Sequence, residues 1–132
     1  MSIIAILGAG GKMGCRLTEN LLKTKHNLLL VEVSDRGKAN IAERGLSTVP
    51  ENEALAQAEV VILALPDRIL GQAARGVIPA LKPHTLVIML DPAVAHAGEL
   101  PKRPDISYFV SHPCHPNVFD HFQTEAERDD FF

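Results

Sequence analysis

Residues 3–14, IIAILGAGGKMG, join five apolar residues to a turn with four glycines, and a helical pattern follows directly. This order predicts a strand, a turn and a helix. Glycines suit such a turn because the chain bends sharply there. A Cβ would also keep a pyrophosphate away from the backbone N–H groups at the helix N-terminus. The stretch therefore predicts a nucleotide-binding site at the beginning of an α/β fold.

The composition limits the protein to a small number of classes. At 132 residues, with 46% hydrophobic and 22% charged residues, the chain suits one soluble globular domain. The net charge is −3 and no Lys/Arg cluster exceeds two residues, so no nucleic-acid partner is predicted. The apolar N-terminus lacks a basic leader and is too short to span a bilayer, which predicts no membrane partner and a cytoplasmic location. Two cysteines are too few for a disulfide framework.

Apolar runs and helical patterns alternate along the rest of the chain. The runs at 28–31 and 60–65 are continuously apolar, as in parallel strands that are covered on both faces. This alternation predicts a doubly wound, mostly parallel α/β sheet of the Rossmann type. We predict strands at 3–7, 28–31, 46–49, 60–65, 86–90 and 106–110. The predicted helices run from the glycine turn to 25–27, from a loop at 34–38 to 44–45, and over 51–58 and 67–81. A Pro- and Ala-rich connection follows residue 92.

Glu32 is the first polar residue after the second predicted strand. Its carboxylate could accept hydrogen bonds from the hydroxyls of an adenosine ribose, and its charge would repel a 2′-phosphate. NAD is therefore predicted over NADP. Arg36 is a residue type that can hold a 2′-phosphate, so NADP stays open, and Glu32 could also be an ordinary polar residue at a strand end.

The glycine turn does not fit one motif alone. It departs from strict G-x-G-x-x-G and can equally be matched to G-x-x-G-x-x-G. In doubly wound sheets, ligands bind outside the carboxyl ends of the strands, so the loop after the strand at 60–65 should border the same site. Asp91 lies on this rim as well, where it could contact a ligand or only cap a loop. The predicted cofactor-binding residues are Gly8, Gly10, Gly11, Lys12, Met13, Gly14, Glu32, Leu65, Pro66 and Asp67.

A second group of chemically active residues, SHPCHPN at 111–117, follows the last predicted strand and so lies on the same rim. The two prolines favour extended or polyproline geometry, in which His112 and His115 share one edge. One imidazole could act as acid or base while the other binds a divalent metal. The alternative is a rigid linker whose histidines cap strand carbonyls. No Cys-x-x-Cys or His-Glu-x-x-His pattern supports a metal.

Several of these motifs resemble known families. The turn at 11–14, Glu32 and the LALP segment at 63–66 resemble the N-terminal domain of the β-hydroxyacid and 6-phosphogluconate dehydrogenase superfamily. The turn alone is also similar to that of dihydrodipicolinate reductases. The His-Pro core resembles the catalytic segment of prephenate dehydrogenases, and the longer run SHPCHP at 111–116 resembles the D-apionate oxidoisomerase group.

The resemblance to the last group implies an NAD-dependent oxidoreductase that oxidises a branched sugar acid, with a coupled rearrangement to an oxo-isoapionate. By the same resemblance, His112 is the catalytic residue and His115 is a candidate ligand for a divalent metal, zinc or magnesium. An enzyme of the dihydrodipicolinate reductase or prephenate dehydrogenase type is the alternative within the enzymes. A rival outside them is an NAD-binding sensor that uses the His-Pro segment as a partner surface.

The resemblance also implies a domain division. Residues 1–116 would form the NAD-binding domain, and residues 117–132 would begin a linker or helix toward a helical second domain that this chain lacks. That domain closes the substrate pocket and makes the homodimer in the family. The tail ends on Phe131 and Phe132, which an isolated domain would rarely leave exposed, and this favours a continuing protein.

Overall fold

A computed structural model describes residues 1–112 and residue 124. Within them, five parallel strands form one sheet in the order β2-β1-β3-β4-β5, with helices in the crossovers. The predicted doubly wound parallel α/β sheet is confirmed. The elements are β1 Ile3–Leu7, α1 Lys12–Leu21, β2 Asn27–Val31, α2 Asp35–Ala42, α3 Glu51–Gln57, β3 Val60–Leu63, α4 Asp67–Ala80, β4 Leu86–Met89, α5 Ala93–His96 and β5 Ser107–Val110.

Strands β1 and β3 are buried on both faces because alternate residues enter two separate cores, whereas the edge strand β5 is largely exposed. In β1, Ile4 and Ile6 belong to a core that is completed by α1 and α2. Ala5 and Leu7 belong to the larger core beneath α3 and α4. Continuous apolar strands are what parallel sheets covered on both faces require.

Four local predictions are wrong. The first helix ends at Leu21 and not at 25–27. No strand forms at 46–49, where Val49 N donates one hydrogen bond to Leu30 O beside β2 and no ladder follows. The predicted loop at 34–38 is the beginning of α2, which Ser34 caps by accepting from Gly37 N. The connection after 92 contains the short helix α5, which its Pro- and Ala-rich composition does not predict.

The strand order places a topological switch point at the carboxyl ends of β1 and β3. The chain winds from β1 outward to β2 in one direction and from β3 to β4 and β5 in the other. A crevice opens outside the strand ends at such a point, and ligands of doubly wound sheets bind there. None of the helices in the described part of the chain is long and apolar enough to cross a membrane.

Candidate functional site

The glycine turn is closely packed against neighbouring backbone. Gly8 has a φ of +78°, and a Cβ on it would lie 2.5 Å from Ala64 O. A Cβ on Gly10 would lie 2.2 Å from Gly37 O. Gly11 differs, because it is exposed and its nearest neighbour would be 3.3 Å away. The turn therefore holds β1, β3 and α2 together, in addition to any contact with a ligand.

The N-terminus of α1 is the part of the turn suited to an anion. The N–H groups of Gly10 and Gly11 are already bonded, to Glu32 Oε2 and Gly8 O respectively. The backbone N–H groups of Met13 and Gly14 precede the first intrahelical bond, from Cys15 N to Gly11 O. A phosphate would therefore bind at the first turn of α1, where the helix dipole also favours negative charge.

Glu32 lies at the end of β2 and joins the turn to α2. Its Oε2 accepts from Gly10 N at 3.0 Å. Its Oε1 accepts from Val33 N, Ser34 N and Ser34 Oγ, each at 2.9 Å. Partial burial by itself raises the pKa of the Glu32 carboxyl, but the bonds from Ser34, Gly10 and Val33 outweigh it, so the pKa falls below its ordinary value. Glu32 is therefore an ionised acceptor at neutral pH.

The beginning of α2 supplies residues of the site that the sequence analysis missed. A Cβ on Gly37 would lie 2.4 Å from Glu32 Cδ, so only glycine lets α2 approach the carboxylate. Asn40 Nδ2 donates to Gly10 O at 2.8 Å. Gly37 is visible in the sequence as a glycine two residues after Asp35, but such a glycine also indicates a loop, and a loop is the prediction for 34–38.

A cleft of about 650 Å³ runs along the carboxyl edge between the glycine turn and α2. Arg36 and Arg68 line its sides together with Glu32. An apolar pocket of about 420 Å³ lies next to it, and there Val33 is 79% exposed and Ile69 is 40% exposed. Two large exposed apolar side chains beside the cleft can hold a flat apolar ring.

A second cavity of about 330 Å³ lies on the other side of the turn, and His112 lines it. It adjoins the 650 Å³ cleft at the switch point, and we refer to these two adjoining cavities together as the groove. The wall residues common to both are Gly11, Lys12, Ala64, Leu65 and Pro66. Met13, Asp67, Leu90 and Asp91 complete the lining of the His112 cavity.

The His112 side chain is held by the end of β4. Its Nδ1 lies 3.2 Å from Leu90 O and 3.9 Å from Asp91 Oδ2. Because a carbonyl oxygen can only accept, this contact is a hydrogen bond when Nδ1 carries the proton, and in that tautomer the lone pair lies on Nε2. The side chain is 55% exposed, so a ligand can reach it.

The structure thus brings most of the predicted site residues to one groove. Gly14 is the exception, since it is buried in the first turn of α1. His115 and Cys114 lie outside the described residues. Among residues 1–112 and 124, no three His, Cys, Asp or Glu side chains meet as a metal site. Cys15 is a buried free thiol, as expected of a packing residue.

Comparison with known proteins supports the same fold. The chain is 51% identical over 99% of its length to a D-apionate oxidoisomerase from Rhizobium rhizogenes, and 52% identical over 97% to one from Cupriavidus necator. It covers 48% and 47% of these proteins, so it spans about half the length of the curated relatives it matches. A crystal structure of a semialdehyde dehydrogenase NAD-binding protein from Cupriavidus necator, in complex with calcium and NAD, is 48% identical. It aligns over 100% of this chain and 48% of that one, with a TM-score of 0.87.

The family assignment rests on residues 3–92, which include the glycine turn, Glu32 and the loop at 64–67. They match the family described as NADP oxidoreductase, coenzyme F420-dependent. The chain therefore belongs to the F420-dependent NADP oxidoreductase family and is homologous to about half of a D-apionate oxidoisomerase.

Proposed function

We propose that this chain is the cofactor-binding part of an NAD-dependent oxidoreductase that acts on a hydroxy acid of the sugar-acid class. The observation that carries the proposal is the groove, in which the cleft of about 650 Å³ adjoins the cavity lined by His112. Such an arrangement puts a candidate proton acceptor beside the end of the cleft where a redox ring would lie.

Each part of the cleft suits one part of NAD. The apolar pocket at Val33 and Ile69 suits the adenine, and the first turn of α1 suits the pyrophosphate. Glu32 Oε2 accepts one bond from the protein, so it keeps acceptor capacity for a ribose hydroxyl. The neighbour of 48% identity was crystallised with NAD, which supports the choice. Arg36 lines the cleft as well, but the ionised Glu32 carboxylate opposes a 2′-phosphate.

The reaction that this geometry supports is the oxidation of a hydroxyl group. NAD, when bound, supplies the hydride acceptor for the substrate carbon. His112 accepts the hydroxyl proton at Nε2, since Nδ1 is the nitrogen that faces Leu90 O. The carbonyl of Leu90 keeps the ring in the orientation that directs Nε2 away from the strand end.

The names of the relatives support the finer assignment. D-apionate oxidoisomerases are the relatives found at 39–52% identity, so we propose a D-apionate-like substrate and an oxidation coupled to isomerisation. We further propose that residues 1–116 form the cofactor domain, that 117–132 lead to a helical second domain, and that this domain closes the pocket and forms a homodimer. A cytoplasmic location stays a prediction.

A divalent metal has less support. The described residues offer no set of three ligands, so we derive no step through a metal. The crystallised neighbour carries calcium, and His115 remains the predicted ligand of this chain. Metal analysis of the whole protein, before and after a His115→Ala change, tests the prediction.

Calorimetry with NAD on the whole protein tests the assignment of roles. We expect a dissociation constant in the micromolar range or below, equivalent to about −8 kcal/mol or better. Glu32→Ala should weaken NAD binding far more than His112→Ala does, because only Glu32 lies at the ribose end. Equal losses in the two variants would show that the roles are wrongly assigned.

A substrate screen tests the activity itself. Branched and linear sugar acids are incubated with NAD and the whole protein, and NADH formation is followed by absorbance. We expect turnover of a branched sugar acid that His112→Ala reduces by about 100-fold or more, the usual contribution of a general base. Tight NAD binding without turnover of any hydroxy acid would favour the sensor hypothesis instead.

A further inference from the structure

Asp91 and His112 occupy equivalent positions at the ends of two neighbouring strands. In the parallel pairing of β4 with β5, Met89 is in register with Val110. Asp91 lies two residues after Met89, and His112 lies two residues after Val110. The sheet therefore brings Asp91 and His112 to the same level of the rim. Asp91 Oδ2 lies 3.9 Å from His112 Nδ1 as a result.

The Asp91 carboxylate is fixed in place by the turn that follows it. Its Oδ1 accepts from Ala93 N at 2.7 Å, at the beginning of α5. This bond uses one oxygen and leaves Oδ2 on the side of His112. The Asp91 side chain is 20% exposed, against 55% for His112, so the carboxylate is the less accessible of the two groups.

The His112 ring therefore has two acceptors next to one nitrogen. Leu90 O, at 3.2 Å, can accept from a protonated Nδ1, and the negative charge of Asp91 Oδ2 on the same side favours the same tautomer. A neutral ring in this setting presents Nε2 as a base. Once Nε2 has taken a proton, the nearby carboxylate stabilises the positive ring, as the aspartate of a Ser-His-Asp triad stabilises its imidazolium.

We propose that Asp91 is a positioning residue that holds His112 in its basic tautomer and stabilises the imidazolium formed when the substrate hydroxyl loses its proton. The inference rests on the proposed function of His112. The competing explanation is that Asp91 only caps α5, for which the bond to Ala93 N would suffice.

The change Asp91→Asn separates these two explanations. Asparagine keeps an oxygen that can accept from Ala93 N, but it removes the charge that faces His112. We expect kcat of the whole protein for its hydroxy-acid substrate to fall by about 10- to 100-fold, with KM for NAD unchanged, since orienting carboxylates act on the chemical step. Glu99→Gln, which removes an exposed carboxylate just beyond α5, is the matched control and should leave kcat unchanged.

A double-variant cycle shows whether Asp91 acts through His112. On a His112→Ala background, Asp91→Asn should cause no further loss of kcat. Nitrogen-15 NMR of the ring should also show that the Nδ1-protonated form loses population in Asp91→Asn.

Three results would overturn the inference: normal kcat in Asp91→Asn, an equal loss of kcat on the His112→Ala background, or an unchanged ring tautomer. If kcat is normal in Asp91→Asn while His112→Ala is inactive, only the role proposed for Asp91 is wrong. If His112→Ala is itself fully active, His112 is not the base, and the role of Asp91 is wrong as well.

Discussion

The two ends of the groove differ in how firmly the chain itself holds them. At the glycine turn, Glu32 accepts four hydrogen bonds, and the backbones of Gly10 and Gly37 leave no room for a Cβ. At the other end, His112 Nδ1 lies 3.2 Å from Leu90 O, and the His112 side chain is 55% exposed. One region is packed from all sides, whereas the other lies on an open rim.

This difference fits the two tasks that we propose for the site. A cofactor site gains affinity when it is formed in advance, because little conformational entropy is lost on binding. A catalytic rim that stays open admits a substrate and can be completed by another part of the protein. We therefore expect substitutions at the turn to act on stability and NAD affinity together, and substitutions at the rim to act on turnover alone.

The change Gly10→Ala should have the largest effect on stability. Its Cβ would lie 2.2 Å from Gly37 O, and neither backbone can move without displacing β1 or α2. We expect a loss of about 3 kcal/mol, in the upper range for overpacking, and a loss of NAD binding. Hydrogen exchange at the amides of Ala5 and Ile6 in the whole protein reports the stability of this sheet.

Gly76→Ala is the matched control for that change. Nothing lies within 4 Å of a Cβ at Gly76, which is within α4, so alanine should stabilise the helix by about 0.5–1 kcal/mol. If Gly10→Ala is as mild as Gly76→Ala, the turn is not tightly packed and the comparison between the two regions fails.

The turn was predictable from sequence because its signals are local. The apolar run of β1, the glycines and the acidic residue after β2 follow one another at fixed spacing, and each has one physical reason. Gly37 was not predictable in the same way. A Ser-x-x-Gly segment indicates a loop, and only contact with Glu32, which depends on the folded chain, shows that the glycine lets a helix approach.

Other misses have the same cause. Four-residue spacing indicates the helix α4 but not which of its side chains are buried: Leu70 and Ala74 are buried, whereas Ile69 is 40% exposed. Ile69 is left on the groove. Asp91 and His112 are 21 residues apart in sequence and meet only because β4 and β5 pair in a particular register. Sequence periodicity predicts which elements form, and the pairing of elements decides which side chains meet.

Glu32→Gln should have the second largest effect on stability. The amide has one acceptor oxygen in place of a carboxylate that accepts four bonds, and charged hydrogen bonds are the stronger ones. We expect a loss of about 2 kcal/mol at pH 7, with partial solvent exposure already taken into account. Hydrogen exchange in β1 measures the loss, and Glu51→Gln, at the exposed beginning of α3, is the control.

The pH dependence of the same variant has a definite sign. Because folding lowers the Glu32 pKa, its contribution is complete above the unfolded pKa, about 4.3, and is lost as pH falls through the folded value. Glu32→Gln should flatten that part of the stability curve. Asp105, whose pKa a hydrogen bond from Arg103 lowers to about 2, titrates in both proteins and cancels in the difference. If the free energies of unfolding of the two proteins fall in parallel as the pH is lowered, the role given to Glu32 is contradicted.

Asn40→Ala should have a smaller effect. The change removes the bond from Asn40 Nδ2 to Gly10 O, which ties α2 to the turn at 2.8 Å. We expect a loss of about 1 kcal/mol and a modest fall in NAD affinity, measured by hydrogen exchange and calorimetry. Lys38→Ala, an exposed change on the same helix, should alter neither. An Asn40→Ala protein that binds NAD normally and exchanges normally would show that α2 does not support the turn.

His112→Ala should have the smallest effect on stability and thereby sharpens the comparison most. Its Nδ1 contact with Leu90 O is long and lies at an exposed rim, so the free energy of unfolding should change by no more than about 0.5 kcal/mol. NAD affinity should also stay the same, while turnover is lost. A protein that is stable, binds NAD and does not turn over would show that the two ends of one groove are separable. If instead His112→Ala destabilises β1 as much as Glu32→Gln does, the rim is part of the packed structure, and the division between a preformed cofactor end and an open catalytic end is wrong.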